Sequence, residues 1–248
     1  MTIINKLLRD DYSLKQAESL QIKYHNVIKK DNKKEPIASD IDDINTIAGV
    51  DLSYYNIEGN EYGMACAVLW NPEQEKIEIT CFSHDIVKFP YKPGFLGFRE
   101  CKLLANAIFK LPEKPDLIMC DGHGKIHPRR FGEAVHLGIA LNLPTIGIAK
   151  NPFVGFSNLN IIEKTKGNKK PIWAKDPNIT NESLNELLGY EICLVNDLKP
   201  VFISEGYKTT LDFAKDICLL TSKDHRQPQP LFMADYLSRK KVREINSN

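Results

Sequence analysis

Asp116-Leu117-Ile118-Met119-Cys120-Asp121-Gly122-His123-Gly124 is the stretch on which the fold turns. Its apolar run is short and unbroken, the pattern of a parallel strand buried on both faces, and it runs straight into acid and glycine. A helical segment follows at 131–141, then a second apolar run, Thr145-Ile146-Gly147-Ile148-Ala149. Upstream, residues 98–111 place Cys101, Leu104, Ala105, Ile108 and Leu111 along one helical face, and Pro112 and Pro115 end that pattern. Earlier still, 46–54, 62–70 and 75–89 are rich in apolar and β-branched residues, with Glu58-Gly59-Asn60 and Asn71-Pro72 as turns between them. The reading is an α/β fold, with an antiparallel meander followed by parallel strands in one mixed sheet flanked by helices.

The flanks add less. Residues 13–28 read as a helix with Ser13 as its N-cap, and 29–45 as a polar linker. Residues 151–189 are polar and show little periodicity. A hairpin at 190–196 and 200–207, a helix at 209–222 and a shorter one at 231–243 complete the chain. One domain over 1–248 is expected, with residues 1–45 packed on it as an N-terminal helix and linker.

The chain has 248 residues, 42% of them hydrophobic, enough for a sizeable core. With 26% charged residues and no apolar run near the length of a span, a transmembrane helix is excluded. Met1–Asp11 carries charges where a secretory signal needs an apolar stretch. The six cysteines include no Cys-x-x-Cys pair and mostly lie in apolar surroundings. They read as free thiols in a reducing compartment, so a cytoplasmic protein is expected. A net charge of +1 excludes a histone-like binder. Local basic clusters (Lys29, Lys30, Lys33, Lys34; Arg129, Arg130; Lys164, Lys166, Lys169, Lys170; Arg239, Lys240, Lys241, Arg243) are solvated surface or strips for nucleic acid.

The acids point to chemistry. Asp51 interrupts Ile47-Ala48-Gly49-Val50-Asp51-Leu52, and Asp121 ends the strand already quoted. A carboxylate there is costly unless paired or bound to a cation. Glu100 shares a helical face with Leu96 and Leu104. Three carboxylates converging within ~4–5 Å repel by several kcal/mol per pair at a dielectric near 20. A divalent cation removes that cost, and an all-oxygen set suits Mg²⁺ or Mn²⁺ rather than Zn²⁺. His123 and His127 stand four apart, but Gly124 and Pro128 oppose a helix and no Glu follows His123, so a zinc motif is disfavoured. The glycines allow close approach to a flat or phosphate-bearing ligand, with Arg129 and Arg130 suited to phosphates; a plain turn is the alternative. Phe89-Pro90-Tyr91-Lys92-Pro93-Gly94-Phe95-Leu96-Gly97-Phe98 either inserts an aromatic between bases or packs onto the sheet.

Taken together, Ile47-Ala48-Gly49-Val50-Asp51, Pro90-Tyr91-x-Pro93-Gly94-Phe95-Leu96-x-Phe98-Arg99-Glu100, Asp121-Gly122-His123-Gly124-x-x-His127-Pro128-Arg129-Arg130 and Pro144-Thr145-Ile146-Gly147-x-Ala149-Lys150 closely resemble the endonuclease V family. These blocks keep their order over residues 46–150, and a weaker match continues from Glu205-Gly206-Tyr207 to Asp235. The resemblance implies an RNase H-like fold and an inosine-directed nuclease. It implies that Asp51, Glu100 and Asp121 hold catalytic Mg²⁺, with Asp235 where some members place a fourth acid and Lys150 near the scissile phosphate. It implies that Tyr91, flanked by Pro90 and Pro93, is a strand-opening wedge. Gly94, Leu96, Gly122, Gly124, His127 and Gly132 match the pocket for a flipped hypoxanthine. His225-Arg226-Gln227-Pro228-Gln229-Pro230 lacks the Tyr and Glu of the family's corresponding turn, and 158–186 conforms poorly.

The resulting expectation is a monomeric, Mg²⁺-dependent endonuclease of DNA repair, with Mn²⁺ able to substitute. Its partner is nucleic acid containing inosine or deoxyinosine, and no membrane is involved. It is expected to cleave the second phosphodiester bond 3′ to deoxyinosine, leaving a 3′-hydroxyl and a 5′-phosphate. DNA is favoured because no long tail follows the last helix. The alternatives are an endoribonuclease acting on inosine in single-stranded RNA, another RNase H-like exonuclease or junction resolvase, and a non-cleaving inosine-binding module.

Overall fold

Alternation along β1 (Ile47–Ile57) organises the molecule. Ala48, Val50 and Leu52 point to one face of the sheet and Ile47, Gly49 and Asp51 to the other. In the computed structural model, which describes residues 3–31, 38, 40–157 and 162–247, the first set packs with α3 (Leu96–Ile108) and α4 (Glu133–Leu141). Ile47 packs instead with α5 (Leu211–Leu220) and with Leu231 of α6 (Gln229–Asn246). The same alternation runs through β4 (Leu117–Cys120): Ile118 and Cys120 join the α3/α4 core, Leu117 and Met119 the α5/α6 core.

The strands form one eight-stranded sheet in the order β3-β2-β1-β4-β5-β8-β7-β6. β2 (Asn60–Asn71) and β3 (Lys76–Ile86) extend β1 as an antiparallel meander. Glu58 and Gly59 turn the first hairpin with positive φ at both positions, 49° and 81°, as a two-residue type I′ turn requires. β1, β4 and β5 (Thr145–Ala149) are parallel neighbours, and β8 (Val201–Glu205) returns antiparallel to β5. The mixed α/β sheet flanked by helices is therefore as the sequence indicates. At Gly49 the packing leaves no room for a side chain. A Cβ there would lie 2.2 Å from the Pro230 carbonyl oxygen, so only glycine lets the start of α6 close onto β1.

Several elements differ from expectation. β6 (Lys169–Trp173) lies in the stretch that lacks periodicity; it is the terminal strand of the sheet, paired with β7 (Leu187–Ile192) and bridged to Phe156 at Trp173, and this edge position tolerates Pro171. α6 is longer than the expected 231–243, starting two residues earlier and running on to Asn246. A short α1 (Ile3–Leu7) precedes α2 (Leu14–Asp31), and Leu7 is buried beside Phe131 and Val135. Ser13 caps α2 as expected: its Oγ accepts from the Gln16 amide at 3.3 Å while Gln16 Oε1 accepts from the Ser13 amide at 2.9 Å. Much of the linker, including Lys33 and Lys34, lies outside the described residues. Its end is anchored, with Ile44 buried and the Asn45 and Thr46 amides donating to Asp116. All six cysteines are free thiols. Among the described residues no helix is long and apolar enough to cross a membrane.

Candidate active site

Strand alternation carries two acids to one place. Asp51 continues the Ile47–Gly49 face, Asp121 continues the Leu117–Met119 face, and both look toward α6 where the parallel pairing of β1 with β4 ends. Asp235, one turn beyond Leu231 on α6, completes the group: ligand atoms of Asp51, Asp121 and Asp235 all lie within 4.8 Å of one another. Lys150, just past β5, bridges them, with Nζ 2.6 Å from Asp121 Oδ2 and 3.6 Å from Asp235 Oδ1. Asp235 also keeps the i,i+4 pair with Arg239, at 2.8 Å.

Glu100 stands apart from the three aspartates because it comes from α3, on the opposite face. Its carboxylate is buried and accepts from the Tyr54 hydroxyl at 2.6 Å. Tyr54 has the parity of Leu52, so it faces α3 while Asp51 faces α6. The cluster therefore centres on Asp51, Asp121 and Asp235, with Glu100 close enough to act electrostatically.

Burial and the neighbouring charges raise the proton affinity of Asp51 and Glu100. Burial, followed by Asp121, Glu100 and Asp235, pushes the Asp51 carboxyl well above its ordinary range. Burial pushes Glu100 up to about 7, against the hydrogen bond from Tyr54 and with help from Asp121. Burial opposes the charge on Lys150, but Asp121, Asp235 and Asp51 outweigh it and raise the ammonium pKa. Lys150 and Arg239 against four carboxyl groups leave the acids undercompensated, and their oxygen-only donor set fits a hard divalent cation. Asp51, Asp121 and Asp235, with Glu100 at the margin, are the residues that would hold it.

A second cavity, of about 430 Å³, opens beside the acids and shares Asp121 and Lys150 with them. Gly94, Leu96, Gly122, His127 and Gly132 line it, as do Tyr91 and Pro93. Gly124 does not: its Cα packs against the Glu205 backbone, with room for no side chain, so it shapes the loop from beneath. The loop at 89–98 packs through some of its rings and exposes another. Phe89, Phe95 and Phe98 are buried and mutually packed, while Tyr91, between Pro90 and Pro93, is 75% exposed. Three rings anchor the loop and one is held out of the core.

The histidines and arginines of the glycine loop are braces. His127 Nε2 donates to the Gly94 carbonyl at 3.0 Å, and its Nδ1 accepts from the Arg129 and Phe131 amides. Both ring nitrogens are occupied, which rules out a zinc ligand there. Arg129 donates to Gly94 and Gln21 and pairs with Glu18, and Arg130 pairs with Glu186. Neither is a free phosphate contact; Arg129 instead fixes Gly94, whose φ of +84° only glycine holds without strain. Burial lowers His123 to about 4 and His127 to about 3, so both are neutral at ordinary pH.

Sequence reasoning missed three contributors. Tyr54 bonds Glu100; Phe153 lines the cavity, its ring 5.8 Å from that of His123; and Arg226, in the departing turn, donates to the carbonyls of Pro200 and Lys150. Only Tyr54 left a signal, as a polar ring on the α3 side of a strand that carries a site acid.

Acids massed where parallel strands end, on a mixed sheet of this order, place the protein among the nucleases of RNase H-like architecture. Its family follows from comparison with known proteins. The endonuclease V family profile matches residues 25–236. Endonuclease V of Trichormus variabilis is 36% identical over 214 residues, covering 86% of this chain and 88% of that protein. Endonuclease V of Methanopyrus kandleri is 36% identical over 200 residues, covering 81% and 80%. The Bacillus subtilis endonuclease V structure covers 97% of both chains with a TM-score of 0.83 at 29% identity. Endonuclease V of Ciona intestinalis, solved with a 24mer DNA containing an inosine followed by a ribo-adenosine, gives 0.72 at 28% identity, covering 94% of this chain and 98% of that one. The chain belongs to the endonuclease V family and is a nuclease that hydrolyses phosphodiester bonds.

Proposed function

We propose that this chain is a Mg²⁺-dependent endonuclease that recognises deoxyinosine, the product of adenine deamination, and cuts the second phosphodiester bond on its 3′ side. The products are a 3′-hydroxyl and a 5′-phosphate, with the lesion retained for later repair steps. The observation that carries this reading is the shared wall: one cavity of base-accepting size and one acidic cleft meet at Asp121 and Lys150. A base lodged in the first draws its own backbone across the second.

Each residue has a role on that path. Tyr91 stands out of the loop to fill the gap left by the flipped nucleotide, and the three buried phenylalanines keep it there. Gly94, Leu96, Gly122, His127 and Gly132 enclose the base, with a neutral His127 holding the Gly94 wall. A mispaired hypoxanthine leaves the stack at lower cost than a paired base, which adds selectivity. Lys150, held charged by its acids, is placed to meet the phosphate. Asp51, Asp121 and Asp235, with Glu100 at the margin, would hold Mg²⁺, or Mn²⁺ in its place, which would supply Lewis-acid neutralisation of the phosphate's charge.

The protein is taken to act as a monomer in the cytoplasm. A second reading, an endoribonuclease for inosine in single-stranded RNA, is favoured by the Ciona complex, whose DNA carries a ribo-adenosine after the inosine. The deciding experiment is a nicking assay on matched DNA and RNA strands, each with one inosine or none, in Mg²⁺ and in EDTA. Mg²⁺-dependent cleavage at one site 3′ to inosine is expected. Equal cutting of unmodified strands would replace this function with that of a general nuclease, and binding without cutting would make the protein a recognition module.

A further inference from the structure

We propose that Tyr54 is a positioning residue for Glu100, its hydroxyl clamping one carboxylate oxygen so that the other stays available to the cation of the acidic cleft. This rests on the reading of Glu100 as a contributor to cation binding. Glu100 is 6% exposed, and the 2.6 Å bond from Tyr54 is its only side-chain hydrogen bond among the described residues. Arg99, its neighbour in sequence, is engaged elsewhere, donating to Glu61 at 2.7 Å and to the Phe89 carbonyl at 2.5 Å.

The direction of the Tyr54 bond is also set by Arg99. Its Nε–H donates to the Tyr54 oxygen at 3.3 Å, and its guanidinium lies 4.9 Å from the Tyr54 ring centre. A phenol oxygen that accepts from a guanidinium has its own proton free for the carboxylate. The bond to Glu100 is then charge-assisted and short, the kind that holds a carboxylate rotamer. Without it, the terminal torsion of Glu100 is broad and two-fold, and the cation must select one orientation on binding. Tyr54 itself borders the cleft lined by Asp51, Asp121 and Asp235, and the charge on Glu100 is felt at Asp51.

The test removes the hydroxyl and keeps the ring, in Tyr54→Phe, with Glu100→Ala and the double variant for comparison. Mn²⁺ binding to the full chain without substrate is measured by calorimetry, beside melting temperature and inosine-strand binding in EDTA. Tyr54→Phe is expected to weaken Mn²⁺ binding by roughly 10–100-fold, the usual effect of losing an outer partner of a ligand. Strand binding in EDTA should stay as in the parent protein, and excess Mn²⁺ should restore cleavage. In the Glu100→Ala background the same substitution should change Mn²⁺ affinity by less than about twofold, because residues acting as one unit are not additive. Unchanged affinity in Tyr54→Phe, where Glu100→Ala weakens binding, overturns the proposal alone. An undiminished Tyr54→Phe effect in the Glu100→Ala background also overturns it, since Tyr54 then acts elsewhere. Unchanged affinity in Glu100→Ala removes Glu100 from the cation site, and the role of Tyr54 with it. A lower melting temperature accompanied by lost strand binding shows a packing role and equally refutes positioning.

Discussion

Replacing Asp51 by asparagine should make the metal-free protein more stable while abolishing cleavage. Asp51, Asp121 and Asp235 hold ligand atoms within 4.8 Å of one another. At an effective dielectric near 20, two unit charges at that separation repel by about 3.5 kcal/mol. Asp51 takes part in two such pairs, and burial adds to its cost. Lys150 offsets part of this, but its contacts are to Asp121 and Asp235. A net gain of about 1–2 kcal/mol is expected, or ~2–8 °C in melting temperature for a chain of this size. The gain depends on pH. The folded-state pKa of Asp51 is raised above its unfolded value, so the native state holds a proton there that the unfolded chain has released. Parent protein therefore loses stability as pH rises through that raised pKa, and Asp51→Asn, which has no proton there to lose, lacks that contribution. The assay is thermal melting in EDTA from pH 5 to 9, repeated in Mg²⁺, with nicking measured in parallel. The variant's advantage should widen with pH in EDTA and shrink in Mg²⁺. A variant less stable than the parent at pH 8 in EDTA would refute the reasoning, because Asp51 would then be held by a favourable partner.

Tyr91→Ala should leave melting unchanged and weaken cleavage of duplex inosine substrate by about 1–3 kcal/mol, as for loss of a stacked aromatic, with a smaller defect on single strands; equal loss on both would make Tyr91 a positioning group. Asp235→Asn should raise the Mg²⁺ concentration for half-maximal nicking, and excess Mg²⁺ should restore much of the rate; an unchanged titration would reduce Asp235 to its surface pair with Arg239. Gly49→Ala should destabilise the protein by about 1–3 kcal/mol or more, because its Cβ would lie 2.2 Å from the Pro230 carbonyl oxygen and push α6 off β1; chemical denaturation that matches the parent would show that α6 shifts at no cost.

Local physics made much of this protein legible before any coordinates. Short apolar runs at 117–120 and 145–149 suit buried strands, and turn residues between alternating segments announce the meander. Once the strands are placed, period-two alternation puts Asp51 on the face of Ile47 and Gly49, and Asp121 on the Leu117–Met119 face. Where burial leaves little periodicity, as in β6 at the sheet edge, the sequence carries no such mark.

Tertiary structure alone decided how the acids are grouped. Nothing local says that α6 covers the Asp51 face while α3 covers the opposite one, and that choice draws Asp235 into the cluster and leaves Glu100 to Tyr54. It likewise turned Arg129 and Arg130, which read as phosphate contacts, into braces for the loop around Gly94, because their partners Glu18, Gln21 and Glu186 lie far away in the chain. A residue's chemistry and strand face are set by its neighbours in sequence. Which charge it meets is set by how helices pack across the sheet, and that depends on contacts between segments distant in sequence, such as Pro230 against Gly49.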